Sequence, residues 1–222
     1  MLLLAGLLAC ADAAKDKSAA EVAPVPVVPA PAAPPVPAPL PAPLPGAEVL
    51  TPTGVIGFTG AKLTRTHEGA ASAWKGELSV VDGAVARVWF EVEMGSVSTG
   101  IAKLDGHLKS ADFFDVATMP TSRFVSTAIA VGAPANSTLV GATHTVAGDL
   151  LLHGQTRHLS FPAIIDVQPA EVHAVAEFFI NRKDFGIVYP GKPDDLIQDE
   201  VTLKVDVRAL RTPVTAPAAT AP

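Results

Sequence analysis

Cysteine is nearly absent. Cys10 is the only one in 222 residues, so no intrachain disulfide can form and the fold has to stand on its own core. Basic charge is scarce too: 16 Lys and Arg stand against 22 Asp and Glu with no basic stripe, which argues against a nucleic-acid partner. The most apolar run, MLLLAGLLAC at 1–10, is far short of the roughly 20 residues a helix needs to cross a bilayer. Catalytic signatures are missing as well. There is no GxSxG turn to present a serine nucleophile, and no phosphate loop or dinucleotide fingerprint. His144, His153, His158 and His173 have no cysteine or carboxylate at metal-ligand spacing, so they read as hydrogen-bonded histidines. Asp194, Asp195, Asp199 and Glu200 cluster after a Pro-Gly-Lys-Pro turn without the EF-hand pattern, and read as a solvated loop. The expectation is a protein with no metal, no cofactor and no enzymatic activity.

The two ends of the chain are also poor in core-forming residues. Residues 1–10 have the apolar core and small-residue end of a secretory signal, and Leu7-Leu8-Ala9-Cys10 resembles a bacterial lipobox, in which the cysteine is lipidated. Several acyl chains, at about 0.8 kcal/mol per buried methylene, would anchor Cys10 stably in a membrane. Residues 23–46 repeat Pro, Ala and Val and favour extended polyproline II, reaching roughly 60 Å at about 3.1 Å per residue. We therefore divide the chain into a signal segment at 1–10, a disordered Pro/Ala-rich linker at 11–47, one domain at 48–211 and a disordered tail at 212–222. The domain is long enough to build a sizeable core.

Period-two alternation fills that domain. In 84–94, Ala84, Ala86, Val88, Phe90, Val92 and Met94 share one face, and Val85, Arg87, Trp89, Glu91 and Glu93 the other. Similar runs at 55–62, 74–80, 123–131, 145–152, 159–167, 174–182 and 201–209 bring the count to eight. Short turn-like connections make them antiparallel, and the class all-β, a sandwich or a closed barrel. An eight-stranded barrel has room inside for side chains or for one small ligand. The one helical candidate is 99–111, where Ile101, Leu104, Leu108 and Ala111 recur at helical spacing and would cover the sheet. Phe113 and Phe114 follow it directly. In a helix only one of them could face the core, and in a strand they would point to opposite faces, so the pair implies apolar space on two sides.

Three stretches in order, HLKSADFFDVATMPTSRF, VAGDLLLHGQTRHLSFP and FFINRKDFGI, resemble the signature regions of the YceI-like family. The resemblance implies an eight-stranded antiparallel lipocalin-like barrel with a long apolar tunnel. It further implies binding of a polyisoprenoid, an isoprenoid quinone or a polyprenyl amphiphile, outside the cytoplasm. The first strand departs from the family, whose Tyr-x-Ile/Leu-Asp start is replaced here by LTPTGVIGFTGAKLTR.

The apolar lining is expected from Phe90, Phe124, Phe161, Phe179 (or its neighbour Phe178) and Phe185 on or beside the strands, with Leu108, Phe113 and Phe114 from the helical segment. A prenyl tail needs such a tube with a few polar groups at one end. Asp105, His107 and Arg182 are the candidates for the ligand head group, although Asp105 and His107, two apart on a helix, cannot orient one another. The expected protein is a periplasmic, lipid-anchored carrier, on the outer membrane by its Cys10 anchor. The competing reading is an adhesive envelope module with a filled barrel and a protein partner. A free edge at the first and last strands would allow a homodimer.

Overall fold

The computed structural model describes residues 18–19, 21–23, 39–193 and 195–211. Cys10, the tail from Thr212 and the greater part of the proline-rich stretch lie outside them. In chain order the strands are β1 (Ser18–Ala19), β2 (Glu21–Ala23), β3 (Glu48–Leu50), β4 (Thr53–Ala61), β5 (Thr66–Ala71), β6 (Trp74–Val81), β7 (Ala84–Glu93) and β8 (Val97–Ser98). The helix α1 (Ala102–Lys109) follows. Then come β9 (Thr121–Val131), β10 (His144–Leu152), β11 (Gln155–Val167), β12 (Glu171–Asn181), β13 (Gly191–Lys192), β14 (Asp195–Leu196) and β15 (Glu200–Leu210). All eight expected strands form. The structure adds β5 and several two- or three-residue strands, and it trims the helix to eight residues.

The main sheet runs β3-β6-β7-β9-β10-β11-β12-β15-β4-β5-β8 and curls into a half-barrel. After a 3-10 turn at Met94–Ser96, the path of β7 continues as β8, which pairs with β5 and draws the far end of the sheet back. The first and last long strands pair with each other, Thr53–Thr59 against Thr202–Arg208. That corrects the expectation of a free edge there for a second copy. Backbone hydrogen bonding inside one sheet is better satisfied by this pairing than by leaving two edges open.

Two bulges decide which residues face inward. On β7, Ser79 pairs with Arg87 but Val80 pairs with Val85, so Ala86 is the extra residue and the alternation flips. Val85 is buried as a result, while Ala84 and Ala86 are exposed. On β9 the shift opposite Ala147 and Gly148 inserts Thr127, which turns Ile129 to the core side along with Phe124. At that bulge the Ser126 hydroxyl accepts the Val88 N–H at 2.9 Å, replacing a ladder bond. Gly148 is required by close approach: a Cβ there would lie 2.4 Å from the Val125 oxygen and 2.6 Å from Phe124 Cζ.

The core falls into two clusters. The larger lies along the inner face of the barrel, around Leu78, Val88, Val146, Leu159, Phe161, Phe178, Ile180 and Phe185. The smaller sits at one end, where Leu108, Phe113 and Ile187 are buried against Phe58, Phe114, Tyr189 and Ile197.

Candidate functional site: an apolar cavity inside the barrel

Phe113 and Phe114 lie in neither a helix nor a strand. They follow α1 in a succession of turns, in which the Phe114 N–H donates to the Leu108 carbonyl and the Phe113 N–H to that of Ser110. Asp115 then adopts a left-handed φ of 45°, which reverses the chain. A turn frees adjacent side chains from the parity of strand and helix, so both rings reach the same apolar space. Phe113 packs against Tyr189 at 5.4 Å between centroids, and Phe114 meets Phe58 edge-on at 6.5 Å. The space on two sides inferred from the sequence is one space, entered from above.

Beneath these rings lies a cavity of about 240 Å³. Its wall comes from residues of seven long strands, among them Phe58, Val88, Phe90, Phe124, Leu150, Phe161, Phe178 and Leu203. Its lid is Leu108, Phe113 and Phe114 with Ile187 and Ile197. The rings form a file through it. Phe124 and Phe161 are tilted at 5.4 Å, and Phe161 and Phe178 are stacked at 4.0 Å with planes 12° apart. Almost every lining residue is apolar; Ser122, Arg182 and Lys204 are the polar side chains that touch it. Ser122 is already satisfied, its hydroxyl donating to the Leu151 carbonyl at 2.8 Å. A cavity lined in this way favours carbon over water and can hold an apolar chain.

Six of the eight residues expected to line the tube do so: Phe90, Leu108, Phe113, Phe114, Phe124 and Phe161. Phe179 does not, because Ala174, Ala176, Phe178 and Ile180 take the inward positions of β12 and its odd-numbered neighbour points away. Phe185 is fully buried in the core but outside the lining, in the 3-10 turn Arg182–Phe185. The sequence reading missed Tyr189, Ile187 and Ile197. They belong to the connection after β12, where no periodicity marks a buried residue.

The three head-group candidates separate. Asp105 is held at the start of α1, accepting from the Ser98 hydroxyl and from the Thr99 N–H and hydroxyl, the last two at 2.7 Å. Those donors hold its carboxyl below the ordinary carboxylate value. Arg182 reaches the cavity wall yet is 4% exposed. It donates to the carbonyls of Ile187 (2.7 Å) and Gln198 (3.0 Å) and to the Asp199 carboxylate (3.1 Å). Burial pushes its guanidinium below the ordinary arginine value, with Asp199 pulling the other way. It clamps the connection that carries Ile187 and Ile197. His107 stands at the rim, its ring edge-on to Tyr189 at 4.9 Å and to Phe113 at 5.0 Å. Its partner is Asp112, with Nε2 3.0 Å from Oδ2, and not Asp105.

The remaining histidines are dispersed. His158 pairs with Asp149 (2.7 Å), His173 with Asp206 (2.8 Å), and His153 Nδ1 lies 3.0 Å from the Phe185 carbonyl. Among the described residues no group of three or more His, Cys, Asp or Glu is placed to hold a metal ion, and no helix is long and apolar enough to cross a membrane.

Comparison with known proteins matches residues 49–209 to the model of the YceI-like domain. Among curated relatives, the UPF0312 proteins of Pseudomonas putida (strain W619) and Pseudomonas syringae pv. tomato are 28% and 30% identical over 125 residues, 54% of this chain. The matched stretch spans 62% of the length of those relatives. Among solved structures, BcnA of Burkholderia cenocepacia aligns with TM-score 0.58 at 21% identity, over 71% of this chain and 96% of that one. A polyisoprenoid binding domain from Saccharophagus degradans, implicated in plant cell wall breakdown, aligns with TM-score 0.57 at 12% identity, over 74% of this chain and 98% of that one.

Proposed function

This chain belongs to the YceI-like family, and from that premise we propose that it binds an isoprenoid lipid with its tail in the barrel cavity and its head at the rim. The observation that carries the reading is the cavity itself: about 240 Å³ of space walled by aliphatic and phenylalanine side chains, where a filled barrel would have none. The volume lies just under the roughly 300–1,000 Å³ of common ligand pockets, which suits a single slender chain. Burying such a chain gains about 25 cal/mol per Å² of apolar area. The polyisoprenoid binding of the Saccharophagus degradans domain, which shares the fold, supports the same ligand class.

The rim offers His107 and Tyr189 for the head group, since both are partly exposed beside Phe113 at the lid. The protein is a carrier or reservoir and performs no chemistry on the ligand. It works in the bacterial envelope, anchored through lipidated Cys10, where a water-insoluble chain has to be shielded between membranes. Native mass spectrometry of the full chain, purified without detergent and followed by organic extraction, tests this. A bound species of prenyl-quinone or polyprenyl mass is expected. A protein that carries nothing and takes up no added farnesol or ubiquinone-2 refutes it.

A further inference from the structure

Between β4 and β6 the barrel wall has a slot that no ladder closes. The run of chain through β3 and β4 is paired to the run through β5 and β6 at two places, ending at Leu50 opposite Leu78 and at Gly57 opposite Ala70. Between those pins, residues 51–56 and 71–77 bound the slot, and among the described residues no backbone hydrogen bond joins them. Each margin is bonded on its far side instead. Thr53–Ile56 pair with Val205–Arg208 of β15, and Trp74–Glu77 with Trp89–Val92 of β7. The Ser72 and Ala73 N–H groups donate to the Ser96 carbonyl and hydroxyl. The sequence helps to keep the margins apart. Pro52 has no N–H to offer across the slot. Gly54, at φ 137°, lets β4 lie so close to β15 that a Cβ there would overlap the Asp206 oxygen. At about 3.3 Å per residue, the slot is at most about 23 Å long.

We propose that this slot is the mouth of the cavity, and that the apolar chain passes through it sideways out of a lipid bilayer. The proposal rests on the cavity being the ligand site. The slot opens into that cavity, because Ile56 and Gly57 on one margin and Ala71 on the other line it. Inward residues at the slot are also incompletely covered. Trp74 shares a face of β6 with the fully buried Leu78, yet Trp74, Ile56 and Phe90 are only half-buried. Across the cavity, Leu159, Phe161 and Phe178 are buried. Side chains rather than backbone stand at the β6 margin. Phe90 lies over Gly76, where a Cβ would meet its ring at 2.6 Å, and Trp74 is edge-on to it at 5.9 Å. A half-buried ring swings aside by a rotamer flip, where a ladder would have to break. The end of the barrel is roofed by the buried Leu108, Phe113 and Ile187. The outer surface beside the slot fits a bilayer. Val49 and Val55 are exposed there, and an indole such as that of Trp74 settles at a membrane–water boundary. A chain that crosses at this point moves from one apolar phase into another and keeps its apolar area out of water.

Val55 and Lys75 stand on opposite margins, next to the inward Ile56 and Trp74, and both are exposed, which allows a direct test. In the full chain carrying Cys10→Ser, cysteines replace Val55 and Lys75, and a flexible bismaleimide straps the slot from outside. Uptake of ubiquinone-2 from phosphatidylcholine vesicles is followed by stopped-flow quenching of tryptophan fluorescence, since Trp74 packs on the cavity residue Phe90. The strap is expected to slow uptake at least tenfold and to leave the equilibrium affinity unchanged. Either cysteine alone, capped with N-ethylmaleimide, is expected to keep the rate of the Cys10→Ser parent. A strapped protein that takes up ubiquinone-2 at the parent rate overturns the mouth, and so does a capped single cysteine that slows uptake as much as the strap. Failure of the two cysteines to be joined in a folded protein, each being reactive alone, overturns the facing margins. If the parent takes up none, the binding reading fails and the mouth falls with it, while the cross-link yield still reports whether the margins face each other.

Discussion

Replacing Ala176 by phenylalanine would put a side chain where the ligand is proposed to lie. Ala176 is 6% exposed and lines the cavity from β12, two residues before Phe178. The added ring enters a space of about 240 Å³, so it excludes at least one five-carbon isoprene unit from the occupied site. At about 0.8 kcal/mol per buried methylene, one such unit is worth about 4 kcal/mol, or roughly a thousandfold in Kd. The ligand-free protein should respond differently. Filling an apolar void removes a cavity penalty of about 24 cal/mol per Å³, which offsets the strain of the larger residue. The expected result for Ala176→Phe is therefore farnesol binding lost by isothermal titration calorimetry, with the melting temperature of the empty protein unchanged or raised. Undiminished affinity for farnesol in the folded variant would sink the reasoning, because a ligand indifferent to the occupied cavity is bound elsewhere.

Arg182→Ala removes the donor that clamps the carbonyls of Ile187 and Gln198 and the Asp199 carboxylate; because Asp199 is partly exposed and keeps Lys183 at 2.7 Å, the loss is that of the unpaired carbonyls, about 1–3 kcal/mol in a urea titration. A loss under 1 kcal/mol would show that the connection holds without it. Glu91 is bonded to Arg123 and lies 2.9 Å from Lys75. Burial raises its pKa, but the two cations outweigh this and hold it below the ordinary 4.5. A depressed carboxyl contributes stability that is present above pH 4.5 and is lost as pH falls through the folded value. Glu91→Gln should accordingly be less stable at pH 7 by about 1–3 kcal/mol and should lose less of its stability on acidification; parallel pH profiles for the two proteins would contradict this. Gly148→Ala should destabilise by about 1–3 kcal/mol, since the backbone oxygen of Val125, 2.4 Å from the new Cβ, cannot step aside. An unchanged denaturation midpoint would mean that the bulge is plastic.

Strand existence was legible in the sequence, because alternation over seven to eleven residues survives whatever the strand pairs with. The face it presents was legible only between bulges. Ala84 and Ala86 follow the period of Val88 and Phe90, yet Val85 is the buried residue, since the inserted Ala86 shifts the phase. Phe178 and Phe179 are a similar case. The sequence admits either as the lining residue, and the register of β12 on β15 selects Phe178.

By itself the sequence determined that there would be one all-β domain without disulfides, with an apolar interior and a helix ahead of the Phe113-Phe114 pair. Composition and periodicity are local properties, and burying alternate apolar residues leaves a sheet no other option. Tertiary structure decided the rest. It made Arg182 a clamp and Asp105 a helix anchor, brought Tyr189 to His107 across more than eighty residues of chain, and parted β11 from β12 so that β1 and β2 could sit between them. Each of these depends on which backbone and side-chain partners meet at a distance, and a carboxylate or guanidinium looks the same in sequence whether it faces a ligand or its own chain.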